Sequence, residues 1–447
     1  MNLEGARIAV IGAAATGIST ARVLSRRGAR VVVLDRTPEA QVGAARASDW
    51  NDAATRYGID LRWGTEELPA DVDWLVPSPG VRRTAAPVRS ALDRGIPVVS
   101  EIEIGGAIAR APVLAVTGTN GKTTTVAWLA DMVAASGRAV RACGNLAADG
   151  GERLPLIEAA DAAGPAEILV AEVSSFQLEW TRSFAPRGAA WLNLSADHLD
   201  AYPSMDAYAA DKARLLRNQT EQQVAVLNRS DPWVVSRTAG VGNARRVWFD
   251  ADAPVFPESL RDASEGILLP GRHNRANALA AALLALDMGV PAQAVGRALA
   301  QFRGVPHRME LVLVRGGVTW INNSMCTNAA AVAASLEAVS GPVIAIAGGR
   351  LKESDPTDLC EALARHARQV ILIGEAAPSL AATINAISAV PTFVAPSMEE
   401  AVRQAESAAV RGETVVLAPG CSSFDMYSGF EARGQDFRRC VHGLARQ

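Results

Sequence analysis

Short apolar runs recur along this chain, and most lead into a glycine-bearing turn and then a stretch with helical spacing. Strands that alternate with helices wind into parallel sheets covered on both faces, so the pattern restricts the fold to α/β architectures. The run Arg7 to Ile11 enters a small-residue turn from Gly12 to Gly17, then a helical stretch to Arg27, then Val31 to Asp35. This is a βαβ start, but the middle glycine of a dinucleotide fingerprint is replaced by Ala14, which argues against a dinucleotide cofactor. A further strand, Asp73 to Val76, ends in Pro77-Ser78-Pro79-Gly80, a strand-end turn of the kind where such sheets place ligands. A second unit opens near Pro112 with the strand Val113 to Val116 and a glycine-rich loop, and continues with strands at 168–173, 189–194 and 223–227 and an alanine-rich helix at 273–288. Gly304 to Arg308 reads as a linker, and a third unit follows with strands at 343–346, 369–373 and 414–417. The expectation is three consecutive α/β domains: Rossmann-like over 1–110, P-loop ATPase-like over 111–305, and Rossmann-like over 306–447.

Composition narrows the class. A net charge of -3 gives no reason to expect a nucleic-acid groove or a basic membrane-binding surface. Five scattered cysteines without metal-ligand spacing point away from a disulfide frame and towards a reducing compartment. No long apolar stretch or leader-like start is present, so a cytoplasmic protein that does not enter the membrane is expected. The chain holds three lysines against 41 arginines. Lys122, Lys212 and Lys352 all lie in motif-like segments, as expected if a primary amine is needed where guanidinium cannot serve.

Gly118-Thr119-Asn120-Gly121-Lys122-Thr123-Thr124 follows a buried strand and opens a helix. Backbone N–H groups and the helix dipole would cradle phosphates there, with Lys122 on the outer phosphates and Thr123 on Mg²⁺. The spacing is tighter than the common GxxxxGK[ST] form. Glu172 closes the next strand, and Asp197-His198 follows the one after; carboxylate and imidazole so placed suit a divalent ion beside the nucleotide. An Asp-His pair alone is often a helix cap, and the phosphate loop in the same domain is what favours the metal. Lys212 follows Asp211 on a helix, either as an ordinary surface pair or as an amine held near the nucleotide and open to covalent modification.

Taken in order, Gly-Thr-Asn-Gly-Lys-Thr-Thr, Glu172-Val-Ser174-Ser-Phe-Gln177, Asp197-His198-Leu-Asp200, Gly-Arg-His-Asn274-Arg-Ala-Asn277 and His307-Arg308 resemble the Mur ligases. These are the ATP-dependent amino-acid-adding enzymes of bacterial peptidoglycan precursor synthesis. The Gly12–Gly17 turn, Ser78-Pro79-Gly80 and Ser422-Ser423-Phe424-Asp425 with Phe430-Glu431 and Arg433-Gly434 resemble the MurD branch. That branch joins UDP-N-acetylmuramoyl-L-alanine to D-glutamate. The resemblance implies that Thr16, Asp35, Arg36, Ser78 and Gly80 hold the uridine diphosphate end. Asn145, Ser174 and Gln177 would meet the muramoyl-alanine part. Thr123 and Glu172 would ligate one Mg²⁺ and His198 a second, supported by Lys212 as a carbamate. Asn274, Asn277 and Arg308 would bind ATP, and Thr327, Lys352, Ser423 and Phe430 the glutamate. It also implies small-molecule partners and an acyl-phosphate mechanism; a monomer is expected, although the chain itself leaves the oligomeric state open.

The C-terminal unit departs from that pattern. Asn323-Ser324-Met325 stands where Asp-Ser-Lys is frequent, and Arg350 where Asp is frequent. Losing a carboxylate and an ammonium together leaves the local charge little altered, and Arg350 is a candidate to restore the cation. These changes bear on amino-acid choice, including L-glutamate in place of D-glutamate, more than on the ligase chemistry. A folylpolyglutamate-type or other Mur-type ligase, a silent nucleotide-binding module and a dinucleotide oxidoreductase are the rival readings.

Overall fold

The computed structural model describes residues 3–146, 154–195, 201–269, 271–339, 341–351 and 355–444. The chain divides into two compact units, Met1–Phe302 and Arg303–Gln447. The described residues form three sheets, two in the first unit and one in the second.

The first sheet is built from β1 (Arg7–Ile11), β2 (Arg30–Asp35), β3 (Asp60–Trp63) and β4 (Trp74–Pro77), in the order β3-β2-β1-β4. All pairings are parallel, with Val10 between Val33 and Val76. The chain leaves β1 towards β2 and returns on the other side as β4, so a crevice opens at the C-terminal ends of β1 and β4.

The second sheet comprises β5 (Val113–Thr117), β6 (Val140–Gly144), β7 (Ile168–Glu172), β8 (Gly188–Trp191), β9 (Val224–Asn228) and β10 (Arg245–Phe249), in the order β10-β9-β8-β5-β7-β6. It too is wholly parallel. β5, β7, β8 and β9 are buried at every residue because helices cover both faces, which is why they read as unbroken apolar runs. On one face, Trp128 stacks on Phe302 with ring centroids 4.4 Å apart.

The third sheet has β11 (Glu310–Arg315), β12 (Val318–Asn322), β13 (Val343–Gly348), β14 (Gln369–Ile373), β15 (Thr392–Val394) and β16 (Thr414–Gly420), in the order β11-β12-β16-β13-β14-β15. β11 and β12 form an antiparallel hairpin turned by Gly316 and Gly317, whose φ values of 60° and 80° favour a residue without Cβ. The remaining pairings are parallel, and β13 and β16 sit side by side at the centre. The Gly304–Arg308 stretch is more structured than a plain linker. His307 and Met309 both take left-handed φ, and buried His307 donates its N–H to Glu310 Oε2 at 2.9 Å.

Candidate active site

β5 delivers the glycine-rich loop to the N-terminus of the helix Lys122–Ala135, with Gly121 as its left-handed N-cap. A Cβ on Gly121 would fall 2.4 Å from Asn277 Oδ1, so only glycine lets Asn277 close against the loop. Asn277 and Asn274 lie in the first turns of the helix Arg272–Asp287, the former buried and the latter part-exposed. The loop is braced from beyond β8: Asn193 Oδ1 accepts from Thr119 N (3.1 Å) and Asn120 N (2.9 Å), while its Nδ2 donates to Asn120 O (3.1 Å). Sequence reading did not single out Asn193. The first N–H groups of an α-helix have no intrahelical acceptor, so this end is suited to an anion. Thr124 lies in the same first turn.

Two of the three lysines meet here. Lys122 Nζ donates to Gly118 O (3.0 Å) and Thr119 O (2.9 Å), and Lys212 Nζ donates to the same Gly118 O (2.9 Å). Lys212, on the helix Met205–Arg217, is 2% exposed and its Nζ lies 4.6 Å from the centre of the Tyr208 ring. The Tyr208 hydroxyl in turn lies 3.3 Å from Thr119 Oγ1. The surface-pair reading of Lys212 is therefore set aside: neighbouring Asp211 bonds Arg214 at 3.0 Å.

A carboxylate stands beside the loop. Thr123 Oγ1 donates to Glu172 Oε2 at 2.6 Å, and Asn145 Nδ2 approaches Glu172 Oε1 at 3.4 Å. β6 and β7 end close together because Gly144, at φ 92°, has no Cβ; one would lie 2.2 Å from Glu172 O. Asn145 N donates to that same carbonyl at 2.9 Å. His198, with Asp197 and Asp200, lies outside the described residues. Among the described residues no three His, Cys, Asp or Glu side chains form a metal-binding group on their own.

After β7, Ser174 and Gln177 form a capping box. Gln177 Oε1 accepts from Ser174 N and Ser174 Oγ, both at 2.9 Å, and Gln177 N donates to Ser174 Oγ at 3.3 Å. The other end of the Gln177 amide is also engaged, Nε2 donating to Glu101 Oε1 at 2.9 Å. Glu101 is 1% exposed and takes a second hydrogen bond from Ile157 N at 3.0 Å. Burial pushes its carboxyl up from 4.5 to about 7, against the two N–H donors that favour the anion. Neither Glu101 nor its link to Gln177 was anticipated.

At the crevice of the first sheet, Asp35 Oδ2 accepts from Ala13 N at 2.7 Å and its Oδ1 from Thr37 N at 2.8 Å. Ser78 Oγ donates to Gly12 O at 3.1 Å. Gly17 is required where the turn closes, since a Cβ would stand 2.0 Å from Gly12 O. A cleft of about 330 Å³ opens there, with Gly12, Asp35, Arg36 and Gly80 in its walls. Thr16 lies part-exposed in the adjoining first turn of the helix Ala15–Arg26.

In the second unit Thr327 and Phe430 are half-buried and Ser423 is buried, while Lys352 lies outside the described residues. Asn323 is bound locally, its Nδ2 to Ser335 Oγ at 2.6 Å. Arg350 pairs with Glu375 at 2.9 Å on the surface, so its charge is already matched. Arg308 is exposed beside His307. The five cysteines are buried and none is joined in a disulfide, and among the described residues no helix is long and apolar enough to cross a membrane.

Comparison with known proteins places this geometry in context. Residues 116–285 match the Mur ligase middle domain, and residues 307–421 match the Mur ligase glutamate ligase domain. The chain is 37% identical over 457 residues to the UDP-N-acetylmuramoylalanine--D-glutamate ligase of Desulfosudis oleivorans, covering 99% of this chain and 97% of that protein. The enzyme of the same name from Anaeromyxobacter dehalogenans is 37% identical, with 99% of each chain covered. Among solved structures, the UDP-N-acetylmuramate-alanine ligase of Thermotoga maritima superposes with a TM-score of 0.54 at 16% identity, covering 98% of this chain and 99% of that one. A UDP-N-acetylmuramoyl-L-alanyl-D-glutamate--2,6-diaminopimelate ligase gives the same TM-score at 19% identity, covering 95% of this chain and 94% of that one. At these identities the two structures speak for the fold alone.

Proposed function

This chain belongs to the Mur ligase family, and we propose that it adds D-glutamate to UDP-N-acetylmuramoyl-L-alanine through an acyl phosphate. It is an ATP-dependent ligase of peptidoglycan precursor synthesis acting on small molecules. The observation that carries the mechanistic reading is the meeting of Lys122 and Lys212 on Gly118 O, beside the Thr123–Glu172 pair.

In this reading the loop N–H groups and Lys122 bind the phosphates of ATP, and Asn274, Asn277 and Arg308 bind its nucleoside. The alanyl carboxylate attacks the γ-phosphorus, ADP leaves, and an acyl phosphate forms. The glutamate amine then attacks the acyl carbon, and phosphate departs from the tetrahedral intermediate. Lys122 neutralises charge on the transferring phosphoryl group. Hard oxygen donors suit Mg²⁺, which takes few protein ligands and fills its shell with phosphates and water. Thr123 and Glu172, 2.6 Å apart, fit that demand, and His198 is assigned a second ion. Bound there, Mg²⁺ would screen the triphosphate charge. Lys212 is read as a carbamate: its amine attacks CO2 and gives up a proton to solvent, leaving an anion that would support the metal.

Asp35, Arg36, Thr16, Ser78 and Gly80 are assigned the uridine diphosphate end, supported by the cleft at β1 and β4. Asn145 and Ser174 are assigned the muramoyl-alanine part, with Gln177 acting through Ser174 because both ends of its amide are engaged. Thr327, Lys352, Ser423 and Phe430 are assigned the glutamate. The division at 1–110, 111–305 and 306–447 is proposed as one domain per substrate.

The test is phosphate release from ATP on adding UDP-N-acetylmuramoyl-L-alanine with each glutamate enantiomer in turn. Release with D-glutamate is expected. Release with L-glutamate alone would move the specificity, and release with neither would remove the ligase assignment.

A further inference from the structure

Arg433 is the least expected charge in the second unit. It lies on the helix Phe430–Leu444, is 1% exposed, and makes no ion pair with a carboxylate among the described residues. Its guanidinium spans three strand ends. Nε donates to Ser324 Oγ (3.0 Å) and Nη2 to Ser324 O (2.9 Å), past the end of β12. Nη1 donates to Cys421 O (3.1 Å), past β16, and lies 3.5 Å from Gly348 O at the end of β13. Ser324 Oγ passes the link on to Phe430 O at 2.7 Å. β12, β16 and β13 are neighbours, so one side chain ties together the C-terminal edge where an α/β sheet binds its ligand.

Each tie point is close in sequence to a residue assigned to glutamate: Ser324 to Thr327, Cys421 to Ser423, Gly348 to Lys352, and Arg433 itself to Phe430 one helical turn back. We propose that Arg433 is the positioning residue of the amino-acid acceptor site, clamping the three strand ends and supplying the positive potential that draws in an anionic acceptor. This rests on the reading of the second unit as the glutamate-binding part.

A buried cation satisfied only by carbonyls and a hydroxyl leaves its net charge facing the surroundings, where the low dielectric screens it poorly. Burial lowers its pKa to about 10, offset by Cys421, Asp425, Tyr427 and Cys326, so it stays protonated at neutral pH. Of these, Asp425 is the carboxyl, and its Oδ2 accepts from Glu375 N at 2.8 Å. Arginine suits the role because its planar fork reaches several acceptors at once, which lysine cannot do.

The experiment uses the full chain with Arg433→Met and Arg433→Lys. Acyl-phosphate formation from ATP and UDP-N-acetylmuramoyl-L-alanine without glutamate is read as hydroxamate after trapping with hydroxylamine. Steady-state turnover then gives KM for glutamate, ATP and the sugar nucleotide. R433M is expected to form hydroxamate within twofold of wild type while its KM for glutamate rises about 30-fold or more. R433K, keeping the charge without the fork, is expected to recover about tenfold of that rise and to keep a glutamate KM at least threefold above wild type. Hydroxamate near wild type with an unchanged glutamate KM in R433M overturns the proposal. R433K no better than R433M overturns the electrostatic part, and if R433M is insoluble, a wild-type glutamate KM in R433K overturns the clamp. A wild-type chain that forms no hydroxamate overturns the parent reading and this proposal with it.

Discussion

Glu101→Gln isolates one buried charge. The Glu101 carboxyl titrates near 4.5 in an unfolded chain and is pushed to about 7 in the fold, mainly by burial. The folded protein therefore binds a proton that the unfolded chain has lost across this window. Stability from this group is full below about pH 4.5 and is lost as pH rises through about 7. At about 1.4 kcal/mol per pH unit the gap amounts to roughly 3 kcal/mol, most of it between about pH 5 and 8. Glutamine keeps the shape but cannot ionise, so this share of the pH dependence should vanish. It also presents an N–H₂ where the anion accepted from both Ile157 N and Gln177 Nε2, leaving one buried donor without its acceptor at a cost of about 1–3 kcal/mol. Denaturant unfolding of both proteins at a series of pH values reads the difference. The variant should be the less stable protein at pH 5 and gain about 2–3 kcal/mol on wild type by pH 8. Other titrating groups cancel in that subtraction. Parallel stability profiles would refute the reasoning.

Gly17→Ala should cost about 1–3 kcal/mol, since the new Cβ meets the Gly12 carbonyl, and should weaken uridine diphosphate binding measured by calorimetry; unchanged affinity would contradict the assignment of that turn. Lys212→Arg should keep the fold, seen by circular dichroism, yet lose most activity, because guanidinium cannot form a carbamate. Lys212→Ala should regain part of its activity with short-chain carboxylates; near-normal turnover of the arginine variant argues against the modification. Thr123→Val removes the hydroxyl on Glu172 and should raise the Mg²⁺ concentration needed for half-maximal turnover by about tenfold or more, with little change in melting temperature.

The interior strands could be read from the chain because helices on both faces force them to be apolar throughout. Gln369 to Ile373 was placed to the residue, and β5 with its loop nearly so. The strands that escaped notice include β6 and β10, at the two edges of their sheet, where Arg141, Arg245 and Arg246 break the apolar run. The β11–β12 hairpin did carry a signal, two β-prone runs around Gly316-Gly317, but it was masked by the α/β rhythm on either side. Lys122 and Lys212 stood out because lysine is so rare here, and the fold brings both to one carbonyl. Asn193, Glu101 and Arg433 were not read as a brace, an amide anchor and a strand clamp. Their partners are distant, as with Arg433 and Ser324, 109 residues apart, and no local pattern marks such a pair. Arg350 pairs with Glu375 at the surface, a contact that only the folded turn reveals.

The central claim is that phosphate is transferred to the substrate carboxylate before the amide forms. Synthesis of UDP-N-acetylmuramoyl-L-alanine with ¹⁸O in its terminal carboxylate, followed by phosphorus NMR of the phosphate released with glutamate present, tests it directly. One labelled oxygen from the carboxylate should appear in each phosphate. Phosphate free of label while the amide accumulates, with the displaced heavy oxygen in water, would contradict the account.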